Sequence, residues 1–297
     1  MTFAAFGLFL FFKNYQPGMK ILLFVSCVLS GLQAMSQYYY NDLIGSKDLS
    51  ARMQTLVNGK VRTVTATGID ARGARNTDFN EWQEVNANTL TWRISTRNGM
   101  NVAKQTYRFN SSWQLLSIAD TSGTIRSLTT YTYDAAQHIT RIETVVNDSL
   151  QDFSETETHA WEYNAQGQPQ RMWRILNKKD TTEYRLTTDE NGRIADEQLY
   201  RRNVGVDPVY YYYDDNNRIT DIVRYDKQLK KLLPDFMFEY DENDRVIQKI
   251  ATLSAKTRDY IIWRFAYDSK GLKSKEALFN KQKELTGRIE YTYTYLP

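Results

Sequence analysis

The chain has 297 residues, of which 41% are hydrophobic and 13% aromatic, and its formal net charge is +3. Charges of both signs are interspersed along it, which excludes the basic stripe expected of a nucleic-acid-binding protein. A single cysteine excludes a disulfide framework.

The first 36 residues have the pattern of an N-terminal extension and a secretory signal peptide. Lys20 begins a short basic region, a mostly apolar run covers 21–32, and residues 34–36 place small side chains at −3 and −1. We predict cleavage after Ser36, which leaves residues 37–297 as a single mature domain. The mature chain would carry 36 basic and 35 acidic residues, no cysteine and a sizeable core.

Two questions about the N-terminus stay open. Translation starts either at Met1 or at Met19, and the Phe-rich segment 3–12 is too short to span a bilayer. Cys27 raises a lipoprotein alternative, but the apolar run continues past it, whereas a lipid-modified cysteine ends such a run. We therefore expect an exported protein, either secreted or held in the envelope, in the periplasm or on the outer surface of a Gram-negative bacterium.

Residues 37–106 are less regular than the rest. They predict a short helix around 48–57 and then degenerate hairpins. Asn58-Gly59, between Leu56-Val57 and Lys60-Val61, has the composition of a two-residue hairpin turn. Alternation of apolar and polar residues predicts strands over 61–67 and around Trp92.

From residue 107 to 297 the chain repeats one unit of about 25 residues. A strand with aromatic residues at every second position is followed by Asp/Asn/Gly-rich turn residues and a second strand, as in Phe238-Glu-Tyr-Asp-Glu-Asn-Asp-Arg-Val246. A fixed period of this length indicates an array of one supersecondary unit. The anchor positions are Phe109, Tyr133, Tyr163, Thr188, Tyr213, Tyr240, Tyr267 and Tyr293.

Each unit is therefore predicted to be a β-hairpin. The fold class is all-β: a long antiparallel meander of some 16 strands, curled as a sheet or as a cylinder because sheets twist. In-register aromatic residues are expected to stack across one face.

The Tyr-Asp-x-x-x-Arg-(Ile/Val/Leu) units resemble the YD repeats of the RHS-like family of bacterial surface and toxin-delivery proteins, over about residues 107–297. The glycine of that family's core is Gly192 in one unit, but Asn217 and Asp244 replace it in two others, and Thr188 replaces the tyrosine in the 184–198 unit. The resemblance implies a curling hairpin array in a surface or envelope setting and carries over no activity.

No convergent catalytic set is visible. His138 and His159 are isolated, no phosphate-binding loop or nucleophile elbow occurs, and the repeated turn carboxylates serve the turns. The predictions are no catalytic residue, no cofactor and no metal, although calcium at the Asp-rich turns and a glycosidase-like carboxylate pair stay open.

Aromatic residues that break the alternation are the candidate ligand-binding residues. Tyr210 and Tyr212 alternate with Tyr211 and Tyr213, so one of these pairs faces outward, and Trp173 lies on a second strand between arginines. The sequence predicts a non-enzymatic binding or scaffolding module at the bacterial cell envelope, with a glycan or an envelope protein as partner. It predicts no nucleic acid and no membrane contact except through the signal peptide. An outer-membrane β-barrel and a carbohydrate-active enzyme are the alternatives.

Overall fold

The computed structural model describes residues 37–254 and 259–297, so the predicted signal peptide lies outside the described residues. A π-helix (Tyr39–Ile44) continues into α1 (Gly45–Asn58), and eighteen strands follow. The strands are β1 (Val61–Asp70), β2 (Arg75–Asn86), β3 (Thr91–Asn98), β4 (Asn101–Phe109), β5 (Leu115–Ser122), β6 (Ile125–Tyr133), β7 (Ile139–Asp148), β8 (Phe153–Tyr163), β9 (Pro169–Leu176), β10 (Asp180–Thr188), β11 (Ile194–Arg201), β12 (Val204–Tyr213), β13 (Ile219–Asp226), β14 (Lys231–Tyr240), β15 (Val246–Ser254), β16 (Asp259–Tyr267), β17 (Lys273–Phe279) and β18 (Leu285–Tyr295).

All eighteen strands belong to one sheet, in which each strand pairs with its neighbours along the chain. β1 also pairs antiparallel with β18, from Val61 opposite Tyr295 to Asp70 opposite Gly287. The last strand thus closes on the first, and the sheet is a complete barrel without a free edge strand. The predicted all-β antiparallel meander is confirmed, and the sheet is a closed barrel rather than an open curled sheet.

The junction between helix and barrel differs from the prediction. A helix is present over 48–57 as predicted, but Asn58 is its last residue, and the Gly59 N–H donates to the Thr55 carbonyl at 3.0 Å. Lys60 then takes a positive φ of 55° before β1 begins. The predicted Asn58-Gly59 hairpin is wrong because Asn and Gly also serve at the end of a helix.

The π-helix and α1 lie inside the barrel. Tyr40 and Leu43 share one buried cluster with inward residues contributed by strands from β7 to β17. Met53 and Leu56 of α1 pack in a second cluster with residues of β1 to β5. The interior therefore holds an aromatic-rich core built around the N-terminal helical segment, which the sequence did not indicate.

The repeated tyrosine of the Tyr-Asp units fastens each hairpin to the one before it. In the described chain its hydroxyl donates to a backbone carbonyl at or near the start of the preceding unit's second strand. These bonds run from Tyr133 to Leu115 (2.9 Å), Tyr163 to Ile139 (2.8 Å), Tyr213 to Ile194 (2.8 Å), Tyr240 to Ile219 (2.7 Å), Tyr267 to Val246 (2.9 Å) and Tyr293 to Lys273 (2.6 Å). We call this series the tyrosine ladder.

The repeated aspartate organises its own turn. Asp214 accepts backbone N–H groups from Asn216 and Arg218 at 3.0 Å and pairs with the Arg218 guanidinium at 2.7 Å. The guanidinium carbon of Arg218 also lies 4.8 Å from the ring centre of Tyr240 in the next unit. Aspartate, arginine and tyrosine thus join successive hairpins around one end of the barrel.

We predict that Tyr240→Phe lowers the free energy of unfolding by about 1 kcal/mol, because it removes one partly buried hydrogen bond of the tyrosine ladder. Thermal unfolding should shift downward by roughly 2–4 °C for a chain of this size. Tyr212→Phe, which alters an exposed tyrosine, is the matched control. An equal effect of the two substitutions would contradict the prediction that the ladder hydrogen bond stabilises the fold.

Candidate functional site

The most concentrated polar chemistry in the described chain lies in the lumen, where strands β8 to β14 contact the helical segment. Inward positions on these strands are mostly aromatic and aliphatic, but a few carry acids and bases. Buried polar groups of this kind must be hydrogen-bonded, since burying an unpaired charge is costly. Each of them has a partner in the segment that begins at Gln37 or on a neighbouring strand.

Glu197 on β11 holds the start of this segment. Its two carboxylate oxygens accept the backbone N–H groups of Tyr38 (3.0 Å) and Tyr39 (2.8 Å), and one also accepts the Tyr211 hydroxyl at 3.1 Å. The Glu197 side chain is fully buried. Burial raises the pKa of Glu197 above its ordinary value, although these donors favour the ionised form.

His159 on β8 holds the π-helix. Its Nδ1 lies 2.8 Å from an Asp42 carboxylate oxygen, and its Nε2 lies 2.9 Å from a Glu157 oxygen. The same Asp42 oxygen accepts the indole N–H of Trp161 at 3.1 Å, and Arg174 pairs with Glu157. One imidazole thus bridges two carboxylates, one on the helical segment and one on the wall.

This arrangement changes two pKa values in opposite directions. Burial alone would lower the pKa of His159, but Asp42 and Glu157 outweigh it and raise the pKa to about 10. Burial would likewise raise the pKa of Glu157, but His159 and Arg174 outweigh it and lower the pKa to about 2. The opposite charges of this cluster therefore compensate one another at neutral pH. Their contacts join the helical segment to the wall.

Further charged groups lie on α1 or on strands beside it. Burial lowers the pKa of Lys249 to about 8, although the negative charge of Asp48 on α1 opposes this shift. The Lys249 ammonium lies 4.4 Å from the ring centre of Phe236. The guanidinium of Arg52 lies 4.7 Å from the ring centre of Trp92, whose indole N–H donates to Gln83 at 3.0 Å.

The predicted ligand-binding tyrosines lie on the opposite, outer face. Tyr211 points into the lumen and is buried, whereas Tyr212 is 48% exposed and Tyr210 is half-buried. Tyr210 lies opposite Asp196 of β11, and Tyr212 lies opposite Asp221 of β13. The structure therefore brings Tyr210 and Tyr212 together beside carboxylates on the outer wall.

Trp173 lies on the same outer face but on β9, three strands from β12 and thus about 14 Å away around the wall. Its indole N–H donates to Glu162 at 2.9 Å, and the Arg171 guanidinium lies 5.6 Å from its ring centre. The three predicted residues therefore share a face without forming one contact cluster.

Sequence reasoning missed Tyr200, which fills part of the space between them. Tyr200 on β11 and Trp173 on β9 both lie opposite Glu183 of β10, so the three side chains form a row across the outer wall. The Arg185 guanidinium lies 4.1 Å from the ring centre of Tyr200. The available indication was its period-two spacing from Asp196 and Gln198, which marks the solvent face of β11.

Among the described residues, no group of three or more His, Cys, Asp or Glu side chains is arranged to hold a metal ion. No helix in residues 37–254 and 259–297 is both long and apolar enough to cross a membrane.

No protein-family model matches the chain, and the search of curated proteins gives no match. Solved structures give distant likenesses. A porin-like protein from Bacteroides uniformis is 10% identical, with a TM-score of 0.42 over 79% of this chain and 98% of that one. A porin-like protein from Bacteroides vulgatus is 12% identical, with a TM-score of 0.29 over 80% and 99%.

The Photorhabdus luminescens Tc holotoxin pore is 13% identical, with a TM-score of 0.33 over 73% of this chain and 12% of that much longer one. Identities of 10–13% with TM-scores below 0.5 establish neither common ancestry nor a shared activity.

Proposed function

We propose that this protein is an exported, non-enzymatic β-barrel that binds a partner at the cell envelope through its outer wall. The observation that carries this proposal is the band of aromatic and arginine side chains across β9 to β12, here named the outer aromatic surface. Its members are Arg171, Trp173, Arg185, Tyr200, Tyr210 and Tyr212.

Tyrosine, tryptophan and arginine are the residue types enriched at protein interfaces and at their energetic centres. Their flat faces also suit stacking, and the nearby Glu183 and Asp196 carboxylates can accept hydrogen bonds from hydroxyl groups. A glycan or another envelope protein fits this chemistry. The helical segment packs against the inner wall, and the outer wall is the larger accessible surface for a partner.

The envelope setting is supported by the predicted signal peptide and by the resemblance of residues 107–297 to YD repeats. The tyrosine ladder and the Asp-Arg turns explain why these residues repeat. Each repeated residue forms a hydrogen bond within its own hairpin or to an adjacent one. We therefore propose that the chain is an RHS-like repeat protein whose hairpins close into a small barrel.

An outer-membrane β-barrel is the second candidate. An even number of antiparallel strands closed into a barrel favours it, because such barrels span outer membranes. Against it, the outer wall carries charges on strand after strand, among them Arg93, Arg171 and Arg264. Facing lipid, an arginine at the membrane midplane costs about 2–4 kcal/mol. The wall charges therefore favour an aqueous surrounding.

Fractionation separates these two locations. Cells expressing the full-length sequence are washed with carbonate, and the mature protein is identified by intact mass. Release into the wash or medium with Gln37 at the N-terminus is expected. Retention until detergent is added would favour the membrane-spanning barrel, and the outer aromatic surface would then be reassigned to the membrane interface.

We predict that Trp173→Ala and Tyr212→Ala each weaken partner binding at least about tenfold, as expected for aromatic anchors at the centre of an interface. The purified protein is tested on an array of immobilised bacterial glycans. In parallel, a photocrosslinking amino acid replaces Tyr210 in living cells to trap a protein partner.

Tyr225→Ala is the matched control, because Tyr225 has the same 48% exposure as Tyr212 but lies outside this surface. Glycan binding that depends on Trp173 and Tyr212 would identify the partner as a glycan, and a specific crosslinked band would identify it as a protein. Absence of both would contradict the proposed function.

A further inference from the structure

The two ends of the barrel differ in chemistry. Because the sheet is an antiparallel meander, connections alternate between its ends. The Tyr-Asp turns, such as 189–193 and 214–218, lie at one end, which we call the acidic end. Connections such as 177–179 and 227–230 lie at the other, which we call the basic end.

Charge is distributed unequally between these ends. Described connections at the acidic end carry nine acidic and four basic residues, whereas those at the basic end carry two acidic and eight basic residues. The basic set is Arg72, Lys178, Lys179, Arg202, Lys227, Lys230, Lys281 and Lys283, all exposed. A chain with a small net charge is therefore strongly polarised along the barrel axis.

Part of this basic charge is unpaired. Lys227 bonds Asp207 at 2.7 Å, and Lys281 bonds Asp259 at 2.5 Å. Lys179, Arg202 and Lys230 form no ion pair with any described residue. Their ammonium and guanidinium groups are free to meet anions outside the protein.

Apolar side chains project from the same end. Met100 is fully exposed, Leu150 is 78% exposed and Val204 is 61% exposed. They belong to or border three different connections, β3–β4, β7–β8 and β11–β12, so they lie along one part of the rim. Phe153 and Leu232, beside two of the basic-end connections, are also exposed. Isolated exposed apolar residues are common, but several of them at the same end of a barrel as unpaired cations are a specific combination.

We propose that the basic end of the barrel docks on an anionic lipid surface. The lysines and arginines of the rim meet lipid phosphates, while Met100, Leu150 and Val204 enter the boundary between headgroups and acyl chains. Shallow apolar insertion combined with electrostatic attraction is how peripheral proteins hold to membranes. The acidic end then points away from the surface, and the outer aromatic surface stands perpendicular to the membrane plane and accessible.

Vesicle cosedimentation tests this proposal. The protein, expressed from its full-length sequence, is mixed with vesicles of phosphatidylcholine alone or with about one third phosphatidylglycerol. We expect binding to the anionic vesicles only, weakening between roughly 0.1 M and 0.5 M salt as charges are screened. Equal binding to both vesicle types, or binding to neither, would overturn the proposal.

Two rim variants locate the surface. Lys179→Glu combined with Lys230→Glu should weaken vesicle binding at least about 30-fold, because each basic residue near such a surface contributes about a factor of five. Met100→Ser, Leu150→Ser and Val204→Ser together should weaken it about tenfold or more. All five positions are exposed, so thermal unfolding should be unchanged.

Matched controls lie away from the rim. Arg62→Glu with Arg108→Glu makes the same charge change at exposed positions near the acidic end, and Leu116→Ser with Leu296→Ser removes exposed apolar groups there. Controls that reduce binding as much as the rim variants would refute the assignment to this end. Sedimentation velocity tests whether a second copy of this chain occupies the rim instead. If the protein self-associates with increasing concentration and the apolar rim variant does not, the rim is assigned to a dimer contact.

Discussion

Glu197→Ala is expected to lower the free energy of unfolding by about 3–5 kcal/mol, because it removes a buried, multiply bonded carboxylate. The substitution leaves the backbone N–H groups of Tyr38 and Tyr39 and the Tyr211 hydroxyl without an acceptor inside the barrel. Urea unfolding followed by tryptophan fluorescence measures the change.

Two controls accompany this variant. Glu197→Gln keeps one acceptor oxygen and should cost clearly less than alanine. Glu190→Ala, at an exposed turn position, should change the unfolding free energy by less than about 0.5 kcal/mol. If Glu197→Ala costs no more than Glu190→Ala, the helical segment is not fastened to the wall through Glu197.

The second large effect concerns pH and the His159 cluster. The folded pKa of His159, about 10, lies above its ordinary value of 6.5, so protonated His159 stabilises the folded state. This contribution is fully present below pH 6.5 and is lost as the pH rises towards 10. Between those limits the wild type should lose on the order of 3 kcal/mol more than a His159→Gln variant, which has no proton to lose.

Glu157 makes the stability of the folded state depend on pH in the acidic range. Its folded pKa of about 2 lies below the ordinary 4.5, so its contribution is present above pH 4.5 and is lost as the pH falls towards 2. Unfolding free energies measured by urea titration across the pH range test both limits. His138→Gln, at the other histidine of the chain, is the control and should retain the wild-type slope above pH 6.5. Parallel wild-type and His159→Gln curves would contradict the proposed ion bridge.

The strands could be predicted because the residue pattern within each hairpin indicates its strands and its turn. Period-two alternation placed Tyr211 and Tyr213 on one face and Tyr210 and Tyr212 on the other, and Asp and Asn marked the turns. Closure could not be predicted, because the pairing of β1 with β18 depends on strand number and twist, which no local pattern encodes.

The helical segment inside the barrel could not be predicted either, because its conformation depends on contacts with distant strands. Tyr38, Tyr39 and Tyr40 resemble strand residues, and only the enclosing wall makes a π-helix there favourable, through Glu197 and His159. Asn58-Gly59 was misread because helix ends and hairpin turns select the same residues. No local pattern distinguishes Glu197 from the other charges of the second strands, since its partners Tyr38 and Tyr39 lie about 160 residues away in the sequence.

The seam between β1 and β18 has a consequence for how the chain folds. Thr63 and Thr294, which bond each other at 2.6 Å across it, are 231 residues apart. Every other strand pairing joins neighbours along the chain, so the hairpins can assemble progressively as the chain is synthesised, at low contact order. The seam alone must wait for β18 to emerge, and until then β1 presents an open edge. Final closure, rather than hairpin formation, is therefore the slow and aggregation-exposed step of this barrel's assembly.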